Sequence, residues 1–358
     1  MADYSIREIT IPPTVNSPEA ADFLAAVELR NLVEAHGYGS NELSYGAAEL
    51  LPGWQDNEHA PARMFGLFQN GRLLARGTFE TRRNEGMDAA WVSVAVHPEF
   101  RHRGMGTALA EFVETLAREQ NRPRLLVYTV SPDAPGERLP SPTGFGSVPL
   151  ENAEVRFLTQ RGFRLEQVER VSRLPLPLEM EDLKRQLADA QARSGEAYRL
   201  HYWRDFTPAK WRDDMARLLT RMSTDAPSAG LEEPEDVWSV ERLIADEERE
   251  QSSPRAFLTV AAEHVASASL VGFSVLSVPA ETSRAVMQDD TLVLRDHRGH
   301  RLGMLLKLAN LAHLQRVSPG HPSVITFNAE ENRPMLSVNE AVGFVPVAYE
   351  GAWRKDLV

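Results

Sequence analysis

Two stretches of this chain place arginines and glycines where an apolar strand runs into a helix. The first, RHRGMGT, runs from Arg101 to Thr107 and follows the alternating valines Val92, Val94 and Val96. Glycine lets the backbone approach a ligand closely, and the amides of the first helical turn have no partners inside the helix. The junction therefore suits a pyrophosphate, for which the arginines supply positive charge.

A second copy of this junction runs from Thr291 to Leu311 and reads TLVLRDHRGHRLGMLLKLANL. It again contains an apolar strand, a loop of arginine and glycine, and a helix. A single glycine-rich turn before a helix usually only caps that helix. Because the same unusual junction occurs twice in one chain, we infer a duplicated ligand-binding unit.

The composition limits the classes of protein and partner. A chain of 358 residues with 42% hydrophobic and 25% charged residues is typical of a soluble globular protein with two domains. Its net charge of -12 argues against nucleic acid and anionic membranes as partners, because both require a basic surface, whereas cationic small molecules are compatible with it. The absence of cysteine excludes disulfides and thiolate metal sites, and we expect no metal.

Neither a signal peptide nor a membrane span is expected. The start, MADYSIREITIPP, is charged early and lacks an apolar core, and no later apolar run approaches the length of a spanning helix. We therefore predict a cytoplasmic protein. The sequence leaves monomer and homodimer both open.

Hydrophobic periodicity predicts the same order of elements in both halves of the chain. The first half contains a strand at Tyr4–Ile11, helices at Pro18–His36 and Leu43–Leu51, a hairpin at Arg63–Phe79 around Asn70-Gly71, the first junction, the strand RPRLLVYTV, an inserted loop at Ser131–Pro149 and a helix at Glu151–Arg161. Gly162-Phe163 and an extended tail close this half. From Arg199 the order restarts and ends in a tail to Asp356.

The segment between the halves marks a domain boundary. The prolines of LPLPL, from Leu174 to Leu178, are incompatible with regular structure, and a helical pattern from Glu179 to Ser194 follows. We predict a first domain over residues 1–175, a linker helix over 176–197 and a second domain over 198–358.

The motif VHPEFRHRGMG resembles the pyrophosphate loop of the acetyltransferase superfamily related to the yeast histone acetylase, the GNAT family. The family pattern is matched at Arg101, Gly104 and Gly106. In the second copy, HRGHRLG matches at Arg298 and Gly303 but has Arg301 where the middle glycine is expected. Together with NAEENRPMLSVNEAVGF, this loop resembles two-domain bacterial acetyltransferases, to which mycothiol synthases are more distantly similar.

The resemblance implies two tandem GNAT-like domains of the α/β (α+β) class, each a mixed, mostly antiparallel sheet flanked by helices. It also implies direct transfer of an acetyl group from acetyl-CoA, in a ternary complex, to the amine of a small molecule. Acetyl-CoA would lie beside both motif strands and on both loops. The residues expected to hold it are Val94, Val96, Arg101, His102, Arg103, Gly104, Met105, Gly106, Thr107 and Asn152 in the first domain, and Val293, Arg298, Gly299, His300, Arg301, Gly303, Met304, Asn328 and Asn332 in the second.

The catalytic groups are less clear from the sequence, because many relatives place a tyrosine where this chain has Leu158 and Asn339. The substitutes we consider are Tyr128 and Tyr349 as proton donors, and Glu80, Asp290 and its neighbour Asp289 as bases. For the tyrosines the alternative is a ring that bridges core and solvent. For the carboxylates it is a solvated strand end.

An acidic segment from Glu232 to Glu250 precedes the second junction. It would attract a cationic amine, although a solvated helix face is the alternative interpretation. This segment favours the second domain as the site of catalysis, whereas the complete glycines favour the first. Because the tyrosines are absent, the alternative function is a non-catalytic acyl-CoA-binding sensor or scaffold.

Overall fold

The computed structural model describes residues 4–55, 57–83, 88–225, 227–232 and 235–357. The outer limits of the predicted domains, Met1 and Val358, lie outside these residues, as do Glu233 and Pro234 of the acidic segment. Within the described residues, no helix combines the length and apolar character that crossing a membrane requires.

The chain divides into two compact units. Of the described residues, the first unit contains those in 4–169, 228–232 and 348–357, and the second contains the others. The predicted limits at 175 and 198 stay a prediction. The compact units differ from the predicted domains, because the last residues of the chain belong to the first unit.

The first half of the chain alternates strands and helices as expected. Its elements are β1 (Ser5–Glu8), α1 (Ala21–Tyr38), α2 (Ala47–Trp54), β2 (Ala62–Gln69), β3 (Arg72–Thr81), β4 (Ala89–Val96), α3 (Met105–Glu119), β5 (Arg124–Val130), β6 (Arg138–Pro140), β7 (Ser147–Pro149), α4 (Ala153–Gln160) and β8 (Arg164–Pro175). The segment predicted as a plain loop therefore contains a small hairpin, β6 with β7.

The second half repeats this order. Its elements are α5 (Met180–Ser194), β9 (Tyr198–Arg204), α6 (Arg212–Asp225), α7 (Val240–Glu250), β10 (Ala256–His264), β11 (Ser269–Val278), β12 (Val286–Val293), α8 (Leu302–Val317), β13 (Ser323–Ala329), α9 (Arg333–Val342) and β14 (Val345–Asp356). The fold class predicted from the sequence is confirmed: mixed, mostly antiparallel sheets carry flanking helices.

The sheet of the first unit has the order β1-β2-β3-β4-β5-β14. All these neighbours are antiparallel except β4 and β5, which are parallel. The β2–β3 turn has Asn70 at φ 51° and Gly71 at φ 77°, the left-handed pair that a two-residue hairpin requires. Helix α3 packs on this sheet through residues spaced at helical intervals, among them Leu109 and Val113.

The sheet of the second unit has the order β13-β12-β11-β10-β9, with β12 and β13 parallel. Helix α8 is buried around most of its circumference because it lies between this sheet and α5. Leu183 and Ala190 of α5 are buried in the same core as Leu305 and Leu308. The segment predicted as a linker helix is therefore a packing element of the second unit.

The terminal strand β14 contributes its last residues to the first unit. Residues Glu350–Asp356 pair with β5 in antiparallel register, and Trp353 is fully buried among core residues from β2, β3 and α3. The first unit is therefore completed by residues from the far end of the chain.

Trp353→Ala should destabilise the first unit by about 3–5 kcal/mol, because it removes a buried indole. Hydrogen exchange would then accelerate at the amides of β4 and β5. Val347→Ala, at a position 49% exposed on the same strand, is the matched control. Protection lost only in β10 and β11 would contradict this placement of the strand.

Candidate functional site

The motif strand of the first unit has an open edge. Strands β4 and β5 pair only where Ala89–Trp91 face Arg124–Leu126, while β4 remains paired with β3 as far as Val96. Beyond Trp91 the described residues of β4 and β5 therefore diverge. A ligand that enters between them finds main-chain groups which need a hydrogen-bonding partner.

A cavity of about 80 Å³ lies in this divergence. Its walls come from β4, β5, α3 and α4 and are mostly apolar, with Val94, Val127 and Phe157 among them. Two charged lining residues, Glu114 and Arg161, neutralise one another, since Arg161 Nη2 lies 2.9 Å from Glu114 Oε1. A third, Glu154, accepts a 2.7 Å hydrogen bond from Ser131 Oγ. The cavity suits an uncharged chain such as pantetheine.

The predicted phosphate loop lies at the end of this cleft. Gly104 has φ +79° directly before α3 begins at Met105, so a side chain there would be strained. A Cβ on Gly106 would meet Val96 Cγ2 at 3.4 Å, which shows how closely the helix approaches the strand. Arg101 Nε donates to the carbonyl of Val96 at 3.4 Å.

The side chains of the other predicted loop residues of the first unit differ in their exposure to solvent. His102, Arg103 and Thr107 are exposed, whereas the side chain of Met105 is buried in the core. Met105 can therefore serve a ligand only through its backbone amide. Asn152 donates to Ser131 Oγ at 3.0 Å and to the carbonyl of Pro132 at 2.8 Å.

The second junction repeats this geometry. Strands β12 and β13 pair only at Val286 and Met287 among the described residues, while β12 remains paired with β11 as far as Val293. Arg298 Nε donates to the carbonyl of Val293 at 3.0 Å, which matches the contact of Arg101 with Val96.

The second loop nevertheless differs in charge and strain. Arg301 takes the left-handed position of Gly104, with φ +59°. Asp225, whose side chain is 1% exposed, receives a 2.8 Å hydrogen bond from Arg298 Nη2 and lies 3.4 Å from Arg295 Nε. Arg295 and Arg298 of this loop are therefore already paired with the carboxylate of Asp225.

A buried lysine adds to this difference. Lys307 follows Arg301 at the same interval at which Ala110, a lining residue of the first cavity, follows Gly104. The lysine is 1% exposed, and burial lowers its pKa to about 7. The side chain of Met304 is also buried in the core. Gly299 and His300 are exposed, and Gly303 is half-buried.

The asparagines of the second unit make local contacts. Asn332 Oδ1 accepts from the amide of Met335 at 3.4 Å and caps α9. Asn328 Oδ1 accepts a 2.7 Å hydrogen bond from Asn339, the residue at the family's tyrosine position. Their predicted role toward acetyl-CoA stays a prediction.

A larger cavity, of about 240 Å³, lies on the second unit between α6, α7 and strands β9 to β12. Asp289 and Asp290 line it at a bulge of β12, directly after the last described pair with β13. Helix α7 adds Asp246, Glu247 and Glu250 from the acidic segment. The cavity therefore reaches the point at which the motif strand becomes open.

Three carboxyl groups of this cavity have raised pKa values. Burial, followed by repulsion from Asp246 and Asp289, raises the pKa of Glu250 to about 8. Burial and then Asp290 raise the pKa of Asp289 to about 7, and burial also raises that of Asp290. A carboxyl group with such a pKa can accept a proton near neutral pH.

The predicted catalytic residues fall in different units. Asp290 lies in the acidic cavity, whereas Glu80, Tyr128 and Tyr349 belong to the first unit. Glu80 pairs with Trp91 where β4 and β5 part, and burial raises its pKa. Tyr128 packs against the same small buried cluster as Trp91.

Sequence reasoning missed two groups. Glu250 was only one of many charges in the acidic segment, and the fold alone places it beside β12. In the first unit Tyr38 donates a short hydrogen bond to Glu350, whose pKa burial raises to about 8. These two residues are far apart in sequence, so no local pattern connects them.

Part of the chain matches a known protein family. Residues 29–145 match the model of the acetyltransferase (GNAT) family, in line with the resemblance that the first motif carries. Over its whole length the chain has the fold of a tandem GNAT protein. The distant similarity to mycothiol synthases stays a prediction.

Solved structures share this tandem GNAT fold. A tandem GNAT protein from the clavulanic acid biosynthesis pathway, without AcCoA, is 23% identical with a TM-score of 0.74, and the alignment covers 99% of this chain and 98% of that one. A GCN5-related N-acetyltransferase from Sphaerobacter thermophilus is 16% identical with a TM-score of 0.62, over 99% and 95% of the chains. No curated protein matches the sequence.

Glu250→Gln should stabilise the protein at high pH. Because folding raises the pKa of Glu250, its protonated form favours the folded state, and this contribution is lost as the pH rises through about 8. At pH 9 the variant should gain about 1–3 kcal/mol in free energy of unfolding, and at pH 4 almost nothing. Urea denaturation at both values measures the difference.

The exposed neighbour Glu248 gives the control, and Glu248→Gln should change stability little at either pH. An equal gain for Glu250→Gln at pH 4 and pH 9 would contradict a buried carboxyl that loses its proton near pH 8.

Proposed function

We propose that the protein transfers an acetyl group from acetyl-CoA to the amine of a small molecule in a ternary complex. One observation carries the proposal: Asp289 and Asp290 lie on the same strand as the open motif edge, just beyond its last pair with β13. A proton acceptor and a cofactor edge are thus adjacent in one unit. The absence of cysteine is consistent with a cytoplasmic setting.

Acetyl-CoA is proposed to bind both clefts, and more tightly in the first. There, pantetheine would extend along Val92–Val96, and the pyrophosphate would meet the amides at the start of α3. Gly104 makes that approach possible, and Arg101 adds charge. In the second loop the phosphates would compete with Asp225 for Arg298.

The chemistry is proposed for the second unit. An ammonium ion in the acidic cavity would lose a proton to a carboxylate, for which Glu250, Asp289 and Asp290 are placed. The neutral nitrogen would attack the thioester carbonyl, and amides of the open β12 edge would stabilise the oxyanion. The carbon–sulfur bond then breaks, and the thiolate leaves with the second proton of the amine.

A non-catalytic acyl-CoA sensor remains the second candidate, favoured by a specific observation. The buried Lys307 lies in α8, the helix that follows the second loop, and this loop holds the ion pair of Asp225. Asn339 is at the tyrosine position. A sensor would bind acetyl-CoA at the first cleft without any release of thiol.

Arg101→Ala combined with Gly104→Glu should weaken acetyl-CoA binding at the tighter site by at least about a hundredfold. The glutamate adds strain and negative charge where phosphate is expected, and the lost arginine removes a charged hydrogen bond. Isothermal titration calorimetry measures the change. Arg118→Ala, at the far end of the helix that follows this loop, should bind acetyl-CoA normally. Unchanged acetyl-CoA binding by the double variant would contradict the first cleft as the cofactor site.

The rate of acetyl transfer should rise with pH and level off above about 8. The proton-accepting carboxyl groups must be ionised, and the pKa of Glu250 is raised to about 8. Glu250→Gln should lower kcat by about 10²–10⁴. The pH–rate profile and the matched Glu248→Gln control check this, and a rate that falls as the pH rises from 6 to 8 would contradict it.

A further inference from the structure

The acidic cavity of the second unit has carboxyl groups that its own structure balances only in part. The charge of Arg255 opposes the rise in the pKa of Asp289, but burial and the neighbouring Asp290 outweigh it, and burial raises the pKa of Asp290 as well. Glu247 Oε1 accepts from the amide of Thr207 at 2.9 Å, but its Oε2 is buried with no hydrogen-bond partner in the described residues. Carboxylates kept in such surroundings gain when a cation approaches.

Other acids of the cavity are already occupied. Asp205 accepts from the amide of Phe257 at 2.9 Å and lies 3.2 Å from Arg204 Nε, and Asp246 is paired with Arg249. The carboxyl groups that remain for a ligand, Glu250, Asp289 and Asp290, therefore lie where α7 faces the bulge of β12. No arginine or lysine lines the cavity itself among the described residues.

Four aromatic residues also line this cavity. Trp203, Trp238, Phe257 and Phe273 line the same cavity, and Arg242 covers Trp238 with its guanidinium carbon 4.1 Å from the ring centroid. Aromatic faces attract organic cations and pack well against flat groups. Carboxyl groups and aromatic rings in one cavity define the kind of ligand that fits.

Two other ligands fit poorly. The phosphates of acetyl-CoA would be repelled by these carboxylates, so the cavity is distinct from the loop that is built for them. A metal ion needs several ligands converging at short distance, and no group of three or more acidic or histidine side chains among the described residues is arranged in that way.

We propose that this cavity binds an arylalkylammonium ion, with its aromatic body against the ring walls and its ammonium group between α7 and the bulge of β12. The inference rests on the proposed function in one respect: the bound amine is then the acyl acceptor. Binding itself does not depend on acetyl transfer, so the two claims are tested separately.

The direct test titrates the full-length protein with phenethylamine in the absence of acetyl-CoA. Phenethyl alcohol lacks the charge, hexylamine lacks the ring, and spermidine carries more charge without a ring. Saturable binding of phenethylamine, at least about tenfold tighter than that of each of the others, is expected. Equal binding of the alcohol, tighter binding of spermidine or no saturable binding of phenethylamine would overturn the proposal.

Variants locate the binding site. Asp290→Asn and Trp238→Leu should each weaken phenethylamine binding by about tenfold or more, whereas Glu248→Gln on the outer face of α7 should not. If a variant fails to fold, the comparison of ligands on the wild-type protein still decides. Binding without thiol release in the presence of acetyl-CoA would refute the proposed function alone, and turnover of hexylamine as fast as phenethylamine would refute this inference alone.

Discussion

The structure depends on the early separation of two parallel strands in each unit. A sheet normally satisfies its main-chain groups by pairing, and unpaired groups away from water are costly. Strands β4 and β5 pair over Ala89–Trp91 and then part, and β12 leaves β13 after Met287. Each separation leaves a strand edge to be satisfied by a ligand, and the helix that follows directs its free amides to the same place.

The two units show how one junction diverges after duplication. The arginine contact with the motif strand is kept, with Arg101 on Val96 and Arg298 on Val293. The surroundings change, because the second loop has an internal carboxylate and a buried lysine in its helix. The acidic cavity lies in this second unit, so the proposed acceptor site belongs to the unit with the more altered loop.

Local features were predictable from the sequence. The Asn70-Gly71 turn has a single favourable geometry, and the strand–loop–helix junction is set by a few glycines and a change of hydrophobic period. These signals act between near neighbours, so the fold class and the resemblance to the GNAT family followed from them.

Distant features were not predictable. The alternation of apolar and polar residues in β14 predicts which residues share a face of the strand, but it does not predict the strand with which β14 pairs. The sequence therefore does not assign Trp353 to the first unit. The bulge at Asp289 and the approach of Glu250 likewise arise from packing between segments that are distant in sequence. Burial of Glu250 turns an ordinary surface charge into a group able to exchange protons near pH 8.

The central claim is that the open strand edges of this protein serve acetyl transfer. A single-turnover reaction with acetyl-CoA labelled with ¹³C at the carbonyl, followed by NMR in the presence of phenethylamine, tests it most directly. The account predicts that the thioester carbonyl signal decays as an amide carbonyl signal grows, with release of an equal amount of CoA thiol. A labelled thioester that stays intact while bound together with the amine would contradict it.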